Sequence, residues 1–257
     1  MLEKRYYFQE IEDVVLLNLN NLLFEVFERR IQKKYQSGLV MGFWHGRWQS
    51  QKIGWHQKTY NDLLLKYWPK INAVEESNVL VPLCGKSLDM IWLAKQGYTV
   101  VGLEIVQQAV ETFFAENQLE FDTVEIGKHR KFSSQPFTIF LGDVLDLNAG
   151  IIQADAWYDR AALVAIEPSN REDYVKQIRK QTKSGAVGLL ITFAYPQEQM
   201  QGPPFALHDD DVKSLFSDGF EVECLEKIDL EDEKERGLTN VTSSVFKIRR
   251  FNDCIED

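Results

Sequence analysis

Short runs of apolar and β-branched residues alternate with stretches of helical spacing from residue 78 onward, and this alternation constrains the fold more than any other feature. It is typical of a parallel sheet whose strands are joined by crossover helices. The predicted strands cover residues 79–81, 99–104, 137–141, 157–158, 186–193, 220–228 and 241–249. We therefore expect an α/β fold with a doubly wound, mostly parallel seven-stranded sheet. The last two strands have no helix between them and should form an antiparallel hairpin at one edge.

The helices between these strands are marked by capping signals. Helices are predicted at residues 87–96, 106–117, 171–181 and 209–217. Ser87 is the expected N-cap of the first of them, and Gly97 its C-terminal stop. A turn at Ser184 and Gly185 should lead into the apolar strand 186–193, and residues 229–237 read as a charged, solvated loop.

The N-terminal residues follow a different pattern. Apolar residues recur at the spacing of one helix face, at Val15, Leu19, Leu22, Leu23, Val26 and Phe27. We interpret residues 1–40 as an amphipathic helical extension and residues 41–257 as a single domain.

Charge and cysteine content narrow the classes of partner. The net charge of −10 opposes binding to nucleic acid or to an anionic membrane surface. Three widely spaced cysteines form no disulfide framework or zinc motif, which favours a reducing cytoplasm. No apolar stretch is long enough for a membrane span. A cytoplasmic monomer is expected, and a dimer stays open.

The residues directly after the strands are those placed to bind a ligand, because ligands lie beyond the carboxyl ends of strands in doubly wound sheets. Glu104 follows the second strand, 19 residues after Gly85, at the distance where a carboxylate accepts from both hydroxyls of a ribose. The first loop has one glycine, too few for a pyrophosphate, which disfavours a dinucleotide. It suits the methionine carboxylate of S-adenosylmethionine, held by backbone amides near Gly85. Asp143 can accept from the adenine amino group while Val144 packs on the base.

The chain resembles the thiopurine S-methyltransferase family over residues 43–249. Six blocks carry the resemblance in order: Phe43-Trp44-His45-Gly46-Arg47-Trp48, Gly54-Trp55-His56, Val81-Pro82-Leu83-Cys84-Gly85-Lys86-Ser87, Val101-Gly102-Leu103-Glu104, Tyr158-Asp159-Arg160-Ala161-Ala162-Leu163-Val164-Ala165 and Gly202-Pro203-Pro204-Phe205. The resemblance implies a class I methyltransferase that transfers a methyl group from S-adenosylmethionine to the sulfur, selenium or tellurium of a small molecule, leaving S-adenosylhomocysteine.

Site residues follow from the same resemblance. It implies cofactor contacts for Trp44, Trp48, Leu83, Glu104, Asp143, Val144 and Arg160. It places Trp55 and Phe205 near the acceptor, although Trp55 stands where many relatives have phenylalanine. Trp44 and Trp48 are four residues apart and share one face of a helix, where they can cover the cofactor. Spacing alone favours a role as core aromatics, and the neighbouring matches reverse that preference.

Two residues are candidates for catalysis. Asp159 is a candidate base for a thiol proton, and Arg160 a candidate to stabilise the thiolate. Arg160 is expected to matter more, since heterocyclic thiols ionise readily; a structural ion pair between the two is the alternative. No metal is expected, because the four histidines lack ligand spacing, and Cys84 is assigned no chemistry.

Other functions stay open at this point. A halide or thiocyanate methyltransferase has a similar sheet, but residues 202–205 argue against it. A relative acting on inorganic selenium or tellurium is not distinguishable by sequence. A non-catalytic protein that binds S-adenosylmethionine is the alternative from another class.

Overall fold

The computed structural model describes residue 38 and residues 40–252. The chain divides into two compact units, residues 1–50 and 51–257. In the first unit, residues 40–49 form helix α1. The amphipathic helix predicted within residues 1–40 lies outside the described residues, apart from its last positions, and stays a prediction.

The second unit is built on one nine-stranded sheet. Its strands are β1 Asn78–Val81, β2 Thr99–Glu104, β3 Asp122–Ile126, β4 His129–Ser134, β5 Phe137–Leu141, β6 Ala154–Arg160, β7 Thr182–Ile191, β8 Phe220–Asp229 and β9 Thr242–Arg250. The helices are α2 Asp62–Tyr67, α3 Leu88–Lys95, α4 Gln107–Glu116, α5 Arg171–Gln181 and α6 Asp209–Leu215. Four of the five match the predicted helices, and Ser87 caps α3 through its hydroxyl, which accepts from the Asp89 N–H.

The strand order is β3-β4-β5-β2-β1-β6-β7-β9-β8. Strands β5, β2, β1, β6 and β7 are parallel, and β9 runs antiparallel to both β7 and β8. The doubly wound sheet and the antiparallel hairpin at its carboxyl-terminal edge are thus confirmed.

The predicted count of seven strands is wrong, because β3 and β4 form an additional antiparallel hairpin at the opposite edge. Strand β3 is exposed along nearly its whole length, and Val124 is 53% exposed. Without a buried face, this segment lacks the apolar pattern by which sheet strands are recognised.

The turn predicted at Ser184 and Gly185 is part of β7. The register with β6 jumps from Ala154–Thr182 to Ala156–Val187, so these two residues lie in a bulge. Gly185 takes a φ of +76°, which only glycine adopts without strain. Strand β7 therefore begins at Thr182 and continues through the two residues that the sequence predicts as a turn.

The core occupies both faces of the sheet. One apolar cluster includes Tyr158 and residues of α2, α3 and α4, and the other includes Trp157 and residues of α5 and α6. Neighbouring residues of β6 thus point to opposite faces, as the two-residue period of a strand requires. Among the described residues, no helix is long and apolar enough to span a membrane.

Candidate cofactor and acceptor site

The strand order reverses between β1 and β6, and the loops that follow these two strands are both strained. Leu83, after β1, has a φ of +46°, and Ala161, after β6, has a φ of +62°. Non-glycine residues in this region cost about 1–3 kcal/mol and persist where the surroundings fix them. Both strained residues follow the strands between which the order reverses, where a doubly wound sheet binds its ligand.

Glu104 ends β2 and is 7% exposed. Its carboxylate accepts three backbone N–H groups, from Gly85, Ile105 and Val106, each at 2.8 Å. The sequence gives Glu104 no partner other than a ligand, whereas the structure gives it a structural role as well. It joins the loop after β1 to the amino end of α4, and its orientation is fixed by these bonds.

The loop after β1 packs closely on β2. The Cys84 N–H donates to the Leu103 carbonyl at 2.9 Å, and its buried thiol lies against Gly102, where an added Cβ would be 2.6 Å from Sγ. Burial and the nearby Glu104 raise the pKa of the Cys84 thiol well above its ordinary value. Cys84 is therefore a packing residue of the loop, in agreement with the absence of any predicted chemistry.

Asp143 and Val144 follow β5, next to β2 in the sheet. The Asp143 carboxylate accepts from the Leu145 N–H at 2.9 Å, and its carbonyl oxygen lies 3.0 Å from His129 Nε2. Asp143 is half-buried and Val144 is buried. Carboxylates thus end two adjacent strands, β2 and β5, an arrangement that fits the ribose and the base of a nucleoside cofactor.

Arg160 ends β6, and its side chain reaches the segment that precedes α2. Its Nη1 donates to the Trp55 carbonyl oxygen at 2.8 Å, and both side chains are half-buried. The structure therefore brings together two residues predicted to lie at the acceptor.

Asp159 faces the other side of the sheet and is 1% exposed. Its carboxylate accepts from the Leu163 N–H at 3.0 Å and from the Tyr174 hydroxyl at 2.7 Å. Burial raises its pKa from 3.8 to about 6, and these hydrogen bonds limit the rise. This corrects the expectation that Asp159 lies beside Arg160 as a base or as an ion-pair partner: its contacts are those of a buried group that holds the loop after β6.

His56 directly follows Trp55 and is half-buried. Burial lowers its pKa, and the charges of Lys86 and Arg160 lower it further, while Glu116 and Asp89 oppose the change. The residues that the structure describes contain no group of three or more His, Cys, Asp or Glu that would hold a metal ion.

Phe205 belongs to the loop that connects β7 to α6. Its N–H donates to the Val164 carbonyl at 2.7 Å, which joins this loop to the one after β6. Its ring lies over Gly202, where a Cβ would be 2.5 Å from the ring, and Gly202 has a φ of +85°. The absence of a side chain at Gly202 therefore leaves the space that the Phe205 ring occupies.

Arg171, at the start of α5, is a residue that the sequence interpretation missed. It is 5% exposed and donates to the carbonyl oxygens of Ile166, Phe205 and Ala206. Burial lowers the pKa of the guanidinium, and Asp211 opposes this. A cation in the first turn of a helix opposes the helix dipole, and this was the available signal.

Trp44 and Trp48 lie four residues apart on α1, in the first unit. Trp44 is half-buried and packs edge-on against Phe43, and Trp48 is 3% exposed. Their predicted part in cofactor binding stays a prediction.

Solved structures share this fold at low sequence identity. A 1,6-didemethyltoxoflavin-N1-methyltransferase from Burkholderia thailandensis, solved with S-adenosylhomocysteine bound, has a TM-score of 0.58 at 14% identity and covers 85% of this chain and 90% of its own. A SAM-dependent methyltransferase from Methanosarcina mazei has a TM-score of 0.55 at 16% identity, over 71% of this chain and 96% of its own. This chain therefore has the fold that these methyltransferases share.

Sequence relatives identify the family. The family model described as thiopurine S-methyltransferase matches residues 39–251. A thiopurine S-methyltransferase of Shewanella pealeana is 41% identical over 213 residues, 81% of this chain and 97% of that protein. One of Shewanella baltica is 45% identical over 190 residues, 74% of this chain and 87% of that protein. The chain belongs to the thiopurine S-methyltransferase family, and its cofactor is S-adenosylmethionine.

Proposed function

We propose that this enzyme methylates the sulfur of a small aromatic or heterocyclic thiol, and that Arg160 binds the acceptor as its thiolate. The observation that carries the proposal is the contact between Arg160 and Trp55. A half-buried guanidinium is held at the carboxyl end of β6 by the backbone of an aromatic residue. We propose that this guanidinium and the Trp55 ring together bind a flat, polarisable anion.

The cofactor supplies an electrophilic methyl group on a sulfonium sulfur when it is bound. We assign its ribose to Glu104, its base to Asp143 and Val144, and its methionine part to the loop containing Leu83 and Gly85. We also keep Arg160, Trp44 and Trp48 as proposed cofactor contacts. Glu104 is suited to its role because three backbone N–H groups hold it in one orientation.

The proposed role of the chain in the reaction is electrostatic and geometric. A guanidinium near the acceptor favours the thiolate over the thiol, so a heterocyclic thiol needs no protein base. Arg160 holds the charge of the attacking sulfur, and Trp55 and Phe205 hold its ring, which brings sulfur and methyl carbon to within about 3–3.5 Å. Asp159 is proposed to act indirectly, through the loop after β6.

The proposed acceptor is a small molecule rather than nucleic acid or a membrane, which the net charge of −10 supports. We propose that the enzyme works as a monomer in the cytoplasm. A radiolabelled methyl-transfer screen over thiopurines, thiophenols, selenite and halides tests the acceptor class. Methylation of halides in preference to every thiol would refute the proposal.

Steady-state rates of Arg160→Ala and Asp159→Asn between pH 6 and 9 test the division of roles. We expect kcat/KM for a heterocyclic thiol to fall further in Arg160→Ala. A larger loss in Asp159→Asn at every pH, in folded protein, would show that Asp159 acts directly.

A further inference from the structure

The two residues proposed to hold the acceptor ring and its charge lie at separate loops. Arg160 precedes the loop after β6, residues 161–166, and Phe205 lies in the loop after β7, residues 192–207. One backbone hydrogen bond joins these loops, from the Phe205 N–H to the Val164 carbonyl at 2.7 Å. The distance between Arg160 and Phe205 depends on how firmly the loops are held together.

Arg171 makes a second connection between the two loops. Its Nη2 donates to the carbonyl oxygens of Phe205 at 3.2 Å and Ala206 at 3.0 Å, and its Nε donates to the Ile166 carbonyl at 3.4 Å. A guanidinium presents its donors in a rigid planar arrangement, so these carbonyls are held at fixed mutual positions. An ammonium group on a flexible stem does not reproduce that arrangement.

Helix α5 makes hydrogen bonds both to the loop that carries Phe205 and to the strand that carries Arg160. Arg171 at its start holds Phe205, and Tyr174, one turn later, holds Asp159 at 2.7 Å, next to Arg160 in β6. Residues that are three or four positions apart are neighbours on a helix surface. The same face of α5 therefore holds the strand end that carries Arg160 and the loop that carries Phe205.

We propose that Arg171 is a positioning residue for the methyl acceptor: by fixing the carbonyls of the two loops it sets the separation of Arg160 and Phe205, and so determines the KM for flat aromatic thiols. This inference rests on the proposed function. Arg171 does not touch the acceptor in this account. Most of the proposed cofactor contacts follow β1, β2 and β5, and the hydrogen bonds of Arg171 go to Ile166, Phe205 and Ala206 instead. Cofactor affinity is therefore expected to change little.

The test compares Arg171→Gln and Arg171→Lys with the control Arg179→Gln. Arg179 is on the same helix, but its side chain is 40% exposed and pairs with Asp218. KM and kcat are measured for a thiopurine and for 2-mercaptoethanol, with the Kd for S-adenosylhomocysteine and the melting temperature. We expect the thiopurine KM to rise about 10-fold or more in Arg171→Gln, because the contacts to the acceptor ring and to its charge move apart, and a 10-fold change corresponds to about 1.4 kcal/mol of binding.

The expected pattern has three further parts. The thiopurine KM of Arg171→Lys should lie between those of wild type and Arg171→Gln. The KM for 2-mercaptoethanol should change much less than that for the thiopurine. The Kd for S-adenosylhomocysteine should stay within about twofold, because Arg171 makes no hydrogen bond to the loops after β1, β2 and β5. Arg179→Gln should behave as wild type. If Arg171→Gln does not fold, Arg171→Lys, which keeps the buried charge, carries the same comparison.

Two results would overturn the inference. One is an unchanged thiopurine KM and unchanged selectivity in folded Arg171 variants. The other is a parallel loss of kcat and cofactor affinity, which indicates a general structural role. Phe205→Ala separates this failure from that of the proposed function: if it raises the thiopurine KM while the Arg171 variants do not, only the inference fails, and if none of them does, the acceptor site itself is wrongly assigned.

Discussion

The carboxylate of Glu104 accepts the backbone N–H of Gly85 at 2.8 Å, across the gap between the ends of β2 and β1. The residue assigned to the ribose and the loop assigned to the methionine part of the cofactor are therefore one connected unit. Hydrogen bonds to a charged group contribute about 1.5–3 kcal/mol each, so this connection is strong enough to organise the loop. Any change that moves the loop after β1 should also disturb Glu104.

The first prediction concerns the packing of that loop. Gly102→Ala places a methyl group 2.6 Å from the present position of Cys84 Sγ, and overpacking of this kind costs about 1–3 kcal/mol. Cys84→Ala removes the obstructing sulfur, so the double variant should be more stable than the sum of the single effects. Urea denaturation of the four proteins measures this coupling. Strict additivity would contradict the contact, and retained activity in Cys84→Ala would agree with a packing role.

The second prediction concerns the pH dependence of stability. Burial raises the pKa of Asp159 from 3.8 to about 6. Between these values the folded protein binds more protons at this site than the unfolded chain, so the free energy of unfolding falls as pH rises through this window. The total loss is about 3 kcal/mol by pH 7. Asp159→Asn lacks this contribution. The free energy of unfolding of wild type minus that of Asp159→Asn should therefore fall as the pH rises from 4 to 7.

Asp155→Asn is the matched control for Asp159→Asn, since Asp155 lies in the same strand but pairs with Lys183 at the surface. Chemical denaturation at several pH values gives the two difference curves. If the free energies of unfolding of Asp159→Asn and wild type differ by a constant amount from pH 4 to 7, the Asp159 carboxylate does not titrate as described.

The third prediction concerns the Phe205 ring. Gly202→Ala combines a φ of +85° with a Cβ placed 2.5 Å from that ring. Gly237→Ala has the same kind of backbone strain at φ +68° but meets no atom within 4 Å. Both should lose about 1 kcal/mol of stability from the backbone. Only Gly202→Ala should raise the KM for an aromatic thiol, and equal kinetics in the two variants would contradict the proposed place of Phe205.

The position of the residues assigned to the cofactor was largely predictable from sequence, because it depends on the topology of the sheet. Gly85 and Glu104 lie far apart in sequence, yet both follow strands, and adjacent parallel strands end at the same edge of a sheet. Their proximity follows from the alternation of strands and helices, but the hydrogen bond between them does not.

The direction of Asp159 was also available from sequence but was overlooked. Neighbouring residues of a strand face opposite sides, so Asp159 and Arg160 cannot both face one ligand through their side chains without a bulge. Strand β3 was less predictable, since a strand without a buried face has no apolar period.

The hydrogen-bond partners of Arg171 could not be predicted from sequence, because they depend on tertiary structure. Its carbonyl partners are contributed by two loops, 5 to 35 residues away, and their convergence follows from how β6, β7 and α5 pack. A sequence shows the unusual cation at the start of the helix but not the carbonyl groups that it binds.

The most direct test of the account is a double-mutant cycle on Glu104, by calorimetric titration of wild type and Glu104→Gln with S-adenosylhomocysteine and with its 2′,3′-dideoxyribose analogue. Circular dichroism confirms that the variant is folded, because Glu104 also accepts three backbone N–H groups. We predict that wild type binds the natural product at least about 10-fold more tightly than the analogue, and that Glu104→Gln loses most of this discrimination, giving a coupling free energy above about 1 kcal/mol. Equal discrimination by the two proteins would show that the Glu104 carboxylate does not bind the ribose.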